Sequence, residues 1–253
     1  MKQQKEDCFQ MKTFNIFSYL RSLVLLLVIP LYTVIMSLLF ILISFLPNSR
    51  NFQNKVIRAW ATGSCWLSGV NVQVSGVEEI PDGSCLFLFN HSSFADIFSM
   101  CAVIPDFRFG AKIELFSIPF FGKAMARAGV LPIVRENRGA VLKVYKDAVS
   151  RAQMGERFAL SPEGTRQNDE KKLGSFKSGP FLFALDAQIP LVPVLIEGAS
   201  LVLPKGKFLV NKINWNTTIK IKILEAISVK EYTYKNRNEL KEYVRNIFIE
   251  NRP

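Results

Sequence analysis

Histidine is almost absent from this sequence: its 253 residues contain one, His91. This count excludes metal centres that use several histidines and pH switches made of histidine clusters. Cysteine is also scarce, and its four residues include no Cys-x-x-Cys pair. A disulfide scaffold or a zinc ribbon is therefore not expected. We expect reduced thiols that pack as small apolar side chains.

Acidic residues are too few to balance the basic ones. The chain has 32 Lys and Arg against 21 Asp and Glu, a formal net charge of +11. Apolar residues at 49% and charged residues at 21% exclude a disordered chain and a coiled coil. The length suits one catalytic domain with an appendage. Nucleic acid is not expected as the partner of the positive charge, because an apolar segment makes lipid the nearer partner.

Charge is missing altogether between Arg21 and Arg50. A helix over residues 23–46 would span about 36 Å, more than the roughly 30 Å hydrocarbon core of a bilayer. No small-residue cleavage site follows, so a signal peptide is not favoured. A soluble core helix is not favoured either, because the segment has no polar face. We predict a membrane-anchoring helical region over residues 1–69.

The topology of this region is left open by the sequence. Four basic residues precede the uncharged segment and three follow it closely, which does not determine an orientation. Pro30 can kink the helix, so a single span and a re-entrant hairpin are both allowed. Residues 51–69 have helical spacing and either lie in the membrane interface or pack on the domain. We expect a membrane protein whose catalytic domain faces the cytoplasm.

Strand and helix patterns alternate over residues 70–253, which predicts an α/β catalytic domain with a mixed, largely parallel sheet flanked by helices. The predicted strands are 70–76, 85–90, 107–112, 130–134, 157–162, 189–199 and 217–227. The predicted helices are 94–104, 116–129, 138–153, 176–187 and a C-terminal one with Leu240, Val244, Ile247 and Phe248 on one face.

His91 directly follows the apolar strand 85–90, and Asp96 comes five residues later. Functional residues of α/β sheets concentrate at the carboxyl ends of strands. If His91 lies in the loop and Asp96 in the first helical turn, Asp96 can orient the imidazole as a general base. The alternative is that His91 is a turn residue and that Asp96 only stabilises the helix N-terminus.

Six sequence blocks follow one another in a fixed order, and the first of them contains this pair. They are NHSSFAD (90–96), AKIELFSIPFFG (111–122), GVLPIVR (129–135), SPEGTR (161–166), FKSG (176–179) and IPLVPV (189–194). Over about residues 70–200 the sequence resembles the glycerolipid acyltransferases, most closely the 1-acyl-glycerol-3-phosphate acyltransferase family. Two positions depart from that pattern: Ser161 replaces an aromatic residue, and Val134 replaces an acidic one.

The resemblance implies that His91 removes a proton from a lysolipid hydroxyl, which then attacks an acyl thioester, while Asp96 orients the ring. The donor would be acyl-CoA or acyl-carrier protein, so neither a resident cofactor nor a metal is expected. Cationic side chains are needed for the acceptor's phosphate. The residues expected to bind substrate are Lys112, Arg135, Glu163, Gly164, Thr165 and Arg166.

The expected activity is acylation of lysophosphatidic acid to phosphatidic acid in phospholipid biosynthesis. One alternative is an acyltransferase for another lysolipid, and another is a membrane-tethered lipid-binding protein with a degenerate site. Residues 198–224 add basic charge without any balancing acid, and this charge would contact anionic lipid, an acidic carrier protein or only water. Its members are Lys205, Lys207, Lys212, Lys220 and Lys222, with Trp215 among them.

Overall fold

A mixed sheet organises the chain in a computed structural model that describes residues 16–169, 172–210 and 215–252. Within these residues the sheet has seven strands in the order β1-β7-β6-β2-β5-β3-β4. The strands are β1 (Val70–Ser75), β2 (Leu86–Phe89), β3 (Arg108–Lys112), β4 (Leu131–Ile133), β5 (Phe158–Leu160), β6 (Leu191–Glu197) and β7 (Thr217–Ile223). Strands β6, β2, β5, β3 and β4 are parallel, whereas β1 and β7 run antiparallel to them. The predicted fold class is confirmed.

Helices cover both faces of this sheet. They are α1 (Ile16–Ile43), α2 (Arg50–Leu67), α3 (Ala95–Val103), α4 (Phe121–Ala128), α5 (Arg138–Gln153), α6 (Gly179–Ala187), α7 (Ala199–Val202) and α8 (Arg237–Glu250). The core on one face includes residues of α1, α2, α3 and α7. The core on the other face includes residues of α5, α6 and α8. All four β2 residues are buried, because both faces of this central strand are covered.

Helix α1 continues through Pro30 and forms an antiparallel hairpin with α2. The Tyr32 hydroxyl donates to the Ala59 carbonyl, and the Trp60 indole N–H donates to Thr33 Oγ1. Nearer the hairpin turn, α1 and α2 pack in a small apolar cluster with α4. Helix α1 therefore packs against α2 and α4 and does not stand apart from the domain.

The polarity of α1 is reversed compared with that of a water-exposed helix. Its buried residues are Ser18, Ser22, Leu25, Ser37 and Phe40. Its outward residues are large and apolar; Leu27, for example, is 76% exposed and Leu31 is 62% exposed. A helix at a protein–water boundary buries its apolar stripe instead. Among the described residues, α1 is the one helix long and apolar enough to cross a membrane.

Helix α2 packs on the domain, as one of the two interpretations of residues 51–69 requires. Its inward side faces α1 and the core between α2 and the sheet. The buried apolar residues on this side are Val56, Ala61 and Cys65. Phe52 and Trp66 remain outside this packing, and Trp66 is 74% exposed. The amphipathic pattern therefore reflects protein packing on one side, while two aromatic rings stay on the surface.

Several predicted elements are shorter in the structure than in the sequence analysis, and two of them differ for a clear reason. The helix expected over 116–129 begins only at Phe121, after a 3-10 helix, Ile113–Ser117. Pro119 explains the break, since a residue before proline is disfavoured in the α region and Ile118 is extended. Strand β7 ends at Ile223, and Ile227 adds only an isolated bridge to Leu191.

The described cysteines behave as expected for apolar packing. Cys65, Cys85 and Cys101 are free and buried. Burial raises the pKa of Cys65 to about 11, so its thiol is not a nucleophile at neutral pH. Cys8 lies outside the described residues.

Candidate active site

The His91 imidazole and the Asp96 carboxylate are in contact at the carboxyl end of β2. Nδ1 of His91 lies 2.7 Å from Oδ2 of Asp96, which is in the first turn of α3. The same oxygen accepts the backbone N–H groups of Ser92 and Ser93, each at 2.9 Å. An ionised Asp96 selects the tautomer with hydrogen on Nδ1, which leaves the lone pair of Nε2 for a substrate proton. The predicted contact is present, and its geometry suits a general base.

The loop that carries His91 is held from two sides. The Asn90 amide donates to the Ile196 carbonyl at 2.8 Å and accepts the Ile196 N–H at 2.7 Å. The His91 carbonyl accepts the N–H of Gln167 at 2.7 Å. Asn90 was not among the predicted site residues, although it begins the NHSSFAD block. Its bonds fix the loop to β6 and so fix the position of the imidazole.

Glu163 joins two loops through its carboxylate. Oε2 accepts the N–H of His91 at 2.9 Å, and Oε1 accepts the N–H of Gly174 at 2.7 Å. The residue is only 2% exposed. Burial raises the pKa of Glu163, and the two backbone hydrogen bonds oppose that rise. Each oxygen has a backbone partner, so Glu163 positions the His91 loop, and its contact with substrate stays a prediction.

Arg135 and Arg166 form a pair of cations near this loop. The Arg166 guanidinium lies over the Phe94 ring, 4.3 Å from its centroid. Burial lowers the pKa of Arg166, and the nearby charge of Arg135 lowers it further, whereas Asp96 raises it. Two guanidinium groups whose charges act on each other repel until an anion lies between them, and the forked donors of each match the oxygens of phosphate. Phe94 was missed by the sequence analysis, although it lies within the NHSSFAD block.

Lys112 lies at the end of β3 and is already paired with an acid. Its ammonium is 2.9 Å from the Glu114 carboxylate, and both side chains are substantially exposed. The hydrogen bond from Lys112 is the largest cause that lowers the pKa of Glu114, and the charge of Arg135 also contributes. Lys112 is therefore near Arg135, but Glu114 compensates its charge. Because this ion pair is exposed, it is weak, and the binding of phosphate by Lys112 stays a prediction.

Gly164 occupies a turn that most residues avoid. Its φ of +69° is left-handed, and its N–H donates to the Ser161 carbonyl at 3.1 Å. The nearest neighbour of an added Cβ would be Lys177 at 3.5 Å, so backbone conformation and not crowding requires glycine here. The Lys177 N–H donates to the Pro162 carbonyl at 2.7 Å, which joins the FKSG and SPEGTR blocks. Thr165 is exposed next to Arg166.

Comparisons with known proteins identify the family of this chain. A family model described as "Acyltransferase" matches residues 71–197. A 1-acyl-sn-glycerol-3-phosphate acyltransferase from Saccharomyces cerevisiae is 30% identical over 246 residues, covering 92% of this chain and 76% of the yeast protein. The chain belongs to this acyltransferase family. The resemblance found in the sequence is thereby confirmed.

Two other members of the family extend the comparison. The crystal structure of the 1-acyl-sn-glycerophosphate (LPA) acyltransferase PlsC from Thermotoga maritima is similar, with a TM-score of 0.76, 26% identity and 92% of each chain covered. A chloroplastic 1-acyl-sn-glycerol-3-phosphate acyltransferase from Brassica napus is 31% identical over 159 residues, covering 62% of this chain. The chain spans about half the length of that plant relative, 46%.

The residues matched by the family model, 71–197, include every predicted site residue. The basic residues of 198–224 lie beyond this range. Lys205 and Lys207 follow α7, on the sheet face that carries α1, whereas Lys220 and Lys222 lie on β7. The expected single basic surface is therefore divided between two places, and Lys212 lies outside the described residues. Trp215 instead lies under the Arg21 guanidinium, 4.4 Å from its ring centroid.

Proposed function

We propose that this protein transfers an acyl chain from a thioester to the free hydroxyl of 1-acyl-glycerol-3-phosphate, which yields phosphatidic acid. The observation that carries the proposal is the 2.7 Å contact between His91 and Asp96. The charges of Arg135 and Arg166, which act on each other near the same loop, support it. This acceptor has a free hydroxyl and a phosphate, so its enzyme needs a base for the hydroxyl and a cationic site for the phosphate. The activities named for the family relatives agree with it.

The reaction needs one proton transfer and one displacement. Nε2 of His91 takes the hydroxyl proton as the acceptor oxygen attacks the thioester carbonyl. The new C–O bond forms, the C–S bond breaks, and the imidazolium returns its proton to the leaving thiolate. Asp96 stabilises the imidazolium, since its carboxylate lies against Nδ1. Because the thioester brings its own leaving group, the mechanism requires neither an acyl-enzyme nor a resident cofactor.

The arginine pair selects the acceptor through its phosphate. Arg166 already lies over the Phe94 ring, so less side-chain freedom is lost when its forked donors bind two phosphate oxygens. Arg135 supplies a second charge nearby. The phosphate monoester of lysophosphatidic acid therefore distinguishes it from lysolipids without this group.

The lipid acceptor is reached from a membrane. The outward face of α1 is apolar along its length, and burying it in the bilayer removes that face from water. The catalytic domain lies on the cytoplasmic side, where both acyl-CoA and acyl-carrier protein are available. The alternative of a degenerate lipid-binding protein lacks support, because the His91 loop keeps its full set of backbone bonds.

The proposal is tested by replacing His91 in the purified protein. His91→Ala should lower phosphatidic acid formation by about 10²–10⁴-fold, since a general base contributes that much. Acyl-CoA and acyl-carrier protein are each supplied with lysophosphatidic acid, and thioester consumption and product are both measured. Turnover of the variant near that of the wild type would contradict the mechanism.

Arg166→Ala provides the matched test of the acceptor. The variant should lose about tenfold or more in kcat/KM for lysophosphatidic acid, because a hydrogen bond to a charged group contributes about 1.5–3 kcal/mol. Its kcat/KM for a lysolipid without the phosphate monoester should change little. Equal losses on both acceptors would contradict the assigned role, and a wild-type preference for the second acceptor would identify a different lysolipid substrate.

A further inference from the structure

A groove of about 710 Å³ lies beside the C-terminal end of α8, over β6, β7 and β1. Lys220 and Lys222 of β7 line it. The alternate residues Ile219, Ile221 and Ile223 belong to the core on the face with α1 and α2, so the two lysines project from the opposite face. The groove therefore opens on the sheet face that carries α5, α6 and α8.

This groove is level with the catalytic loop. Phe89 of β2 pairs with Val194 of β6, and the next β6 residue, Leu195, pairs with Lys222 of β7. Lys222 thus lies at the height of Asn90, two strands away, which is roughly 10 Å. Asn90 itself lines the groove, and His91 is the next residue. The His91 imidazole itself packs on Phe89 and bonds Asp96 of α3, on the other face of the sheet, so a donor arm from the groove reaches it around the carboxyl end of β2.

The charge of the groove is positive. Its lining contains three cationic side chains, Lys220, Lys222 and Arg252, against one acid, Glu197, within the part of the chain that the structure describes. Arg252 is also close enough to Glu163 to lower the pKa of that carboxyl group. Asn90 belongs both to the lining of the groove and to the loop that carries His91. Such a surface favours a phosphate or another anion.

Two cationic groups therefore lie on opposite sides of His91 in the sheet. Arg166 follows β5 and Arg135 follows β4, and both of these strands are on one side of β2. Strand β7, with Lys220 and Lys222, is on the other side of β2. The proposed reaction has two anionic substrates, and the arginine pair already accounts for the acceptor. The second cationic group, Lys220 and Lys222, is therefore available to bind the acyl donor.

We infer that this groove binds the phosphate of the 4′-phosphopantetheine arm of the acyl donor. This inference rests on the proposed function and names the donor site for it. Acyl-CoA and acyl-carrier protein both present their thioester on this arm, so one phosphate site serves either. The groove lies on the sheet face opposite α1, so it stays open to a water-soluble donor while the apolar face of α1 is in lipid.

The experiment compares three small donors that differ by known groups: acyl-CoA, acyl-4′-phosphopantetheine and acyl-pantetheine. Lys220→Ser with Lys222→Ser should raise KM about tenfold or more for the first two, because charge-assisted bonds to phosphate are lost. KM for acyl-pantetheine, which has no phosphate, should stay unchanged. Binding of 4′-phosphopantetheine to the wild type and the double variant is measured in parallel by calorimetry.

The matched control is Lys230→Ser with Lys235→Ser, which removes the same charge from exposed positions outside the groove. This control should behave as the wild type with all three donors. Equal loss on all donors would show a structural effect, and loss on acyl-CoA alone would place the contact at its nucleotide; either result overturns the inference. His91→Ala should keep 4′-phosphopantetheine binding, so failure of the donor site and failure of the chemistry are distinguishable.

Discussion

Helices α1 and α8 are both one-sided, but in opposite senses. Helix α8 buries Leu240, Val244 and Phe248, as a helix at a protein–water boundary does. Helix α1 turns three serines, with Leu25 and Phe40, toward the protein and leaves most of its leucines outside. The same packing principle explains both if α8 faces water and α1 faces lipid. The comparison therefore supports the proposal that α1 faces lipid while α8 faces water.

The largest effect is expected from a charge on the inward side of α8. Val244→Asp should destabilise the protein by about 3–5 kcal/mol, because it places an unpaired carboxylate in the core. Val244 is 0% exposed. Tyr243→Asp, on the outward side of the same helix, should change stability by about 0.5 kcal/mol or less. Denaturant unfolding followed by circular dichroism measures the stability of both variants. Similar losses of stability would contradict the assignment of an inward and an outward side to α8.

The same charge on the outward side of α1 should act on membrane binding and not on folding. Leu27→Asp with Leu31→Asp costs about 2.5–3.5 kcal/mol per residue in the hydrocarbon core, so vesicle affinity should fall at least hundredfold. Co-sedimentation with vesicles measures the affinity, and Leu27→Val with Leu31→Val is the control. Unfolding of the aspartate variant in detergent would show that protein, and not lipid, covers this face.

The smallest effect is expected on the inward side of α1. Ser22 Oγ lies 2.8 Å from the carbonyl oxygens of Ser18 and Val210, so it joins α1 to the segment after α7. Ser22→Ala should cost about 1 kcal/mol and lower the melting temperature by a few degrees. Ser37→Ala loses only a bond to Thr33 within its own helix and should cost less. A larger loss for Ser37→Ala would contradict the tethering role of Ser22.

The catalytic pair was predictable from sequence because its geometry is local. His91 and Asp96 are five residues apart and belong to one strand-to-helix turn, so a short loop and one helical turn bring them together. Glu163 could not be assigned in this way. Its partner, the His91 N–H, is 72 residues away, and only the sheet order brings the two loops together.

The sheet was also predictable, whereas the surroundings of α1 were not. Hydropathy detects an uncharged helix but does not say which side the protein covers, so the inward serines became visible only with α2 in place. The basic residues of 198–224 were expected to act together. Strand β7 separates Lys220 and Lys222 from the lysines after α7, because alternate strand residues face opposite sides.

The most direct test compares one acceptor in vesicles with a short-chain, water-soluble lysophosphatidic acid. Turnover of both is measured for the wild type and for Leu27→Asp with Leu31→Asp. If α1 brings an intact active site to lipid, the variant should lose most turnover in vesicles and keep near-wild-type turnover with the soluble acceptor. Equal turnover by both proteins in vesicles, or an equal loss on both acceptors, would contradict the account.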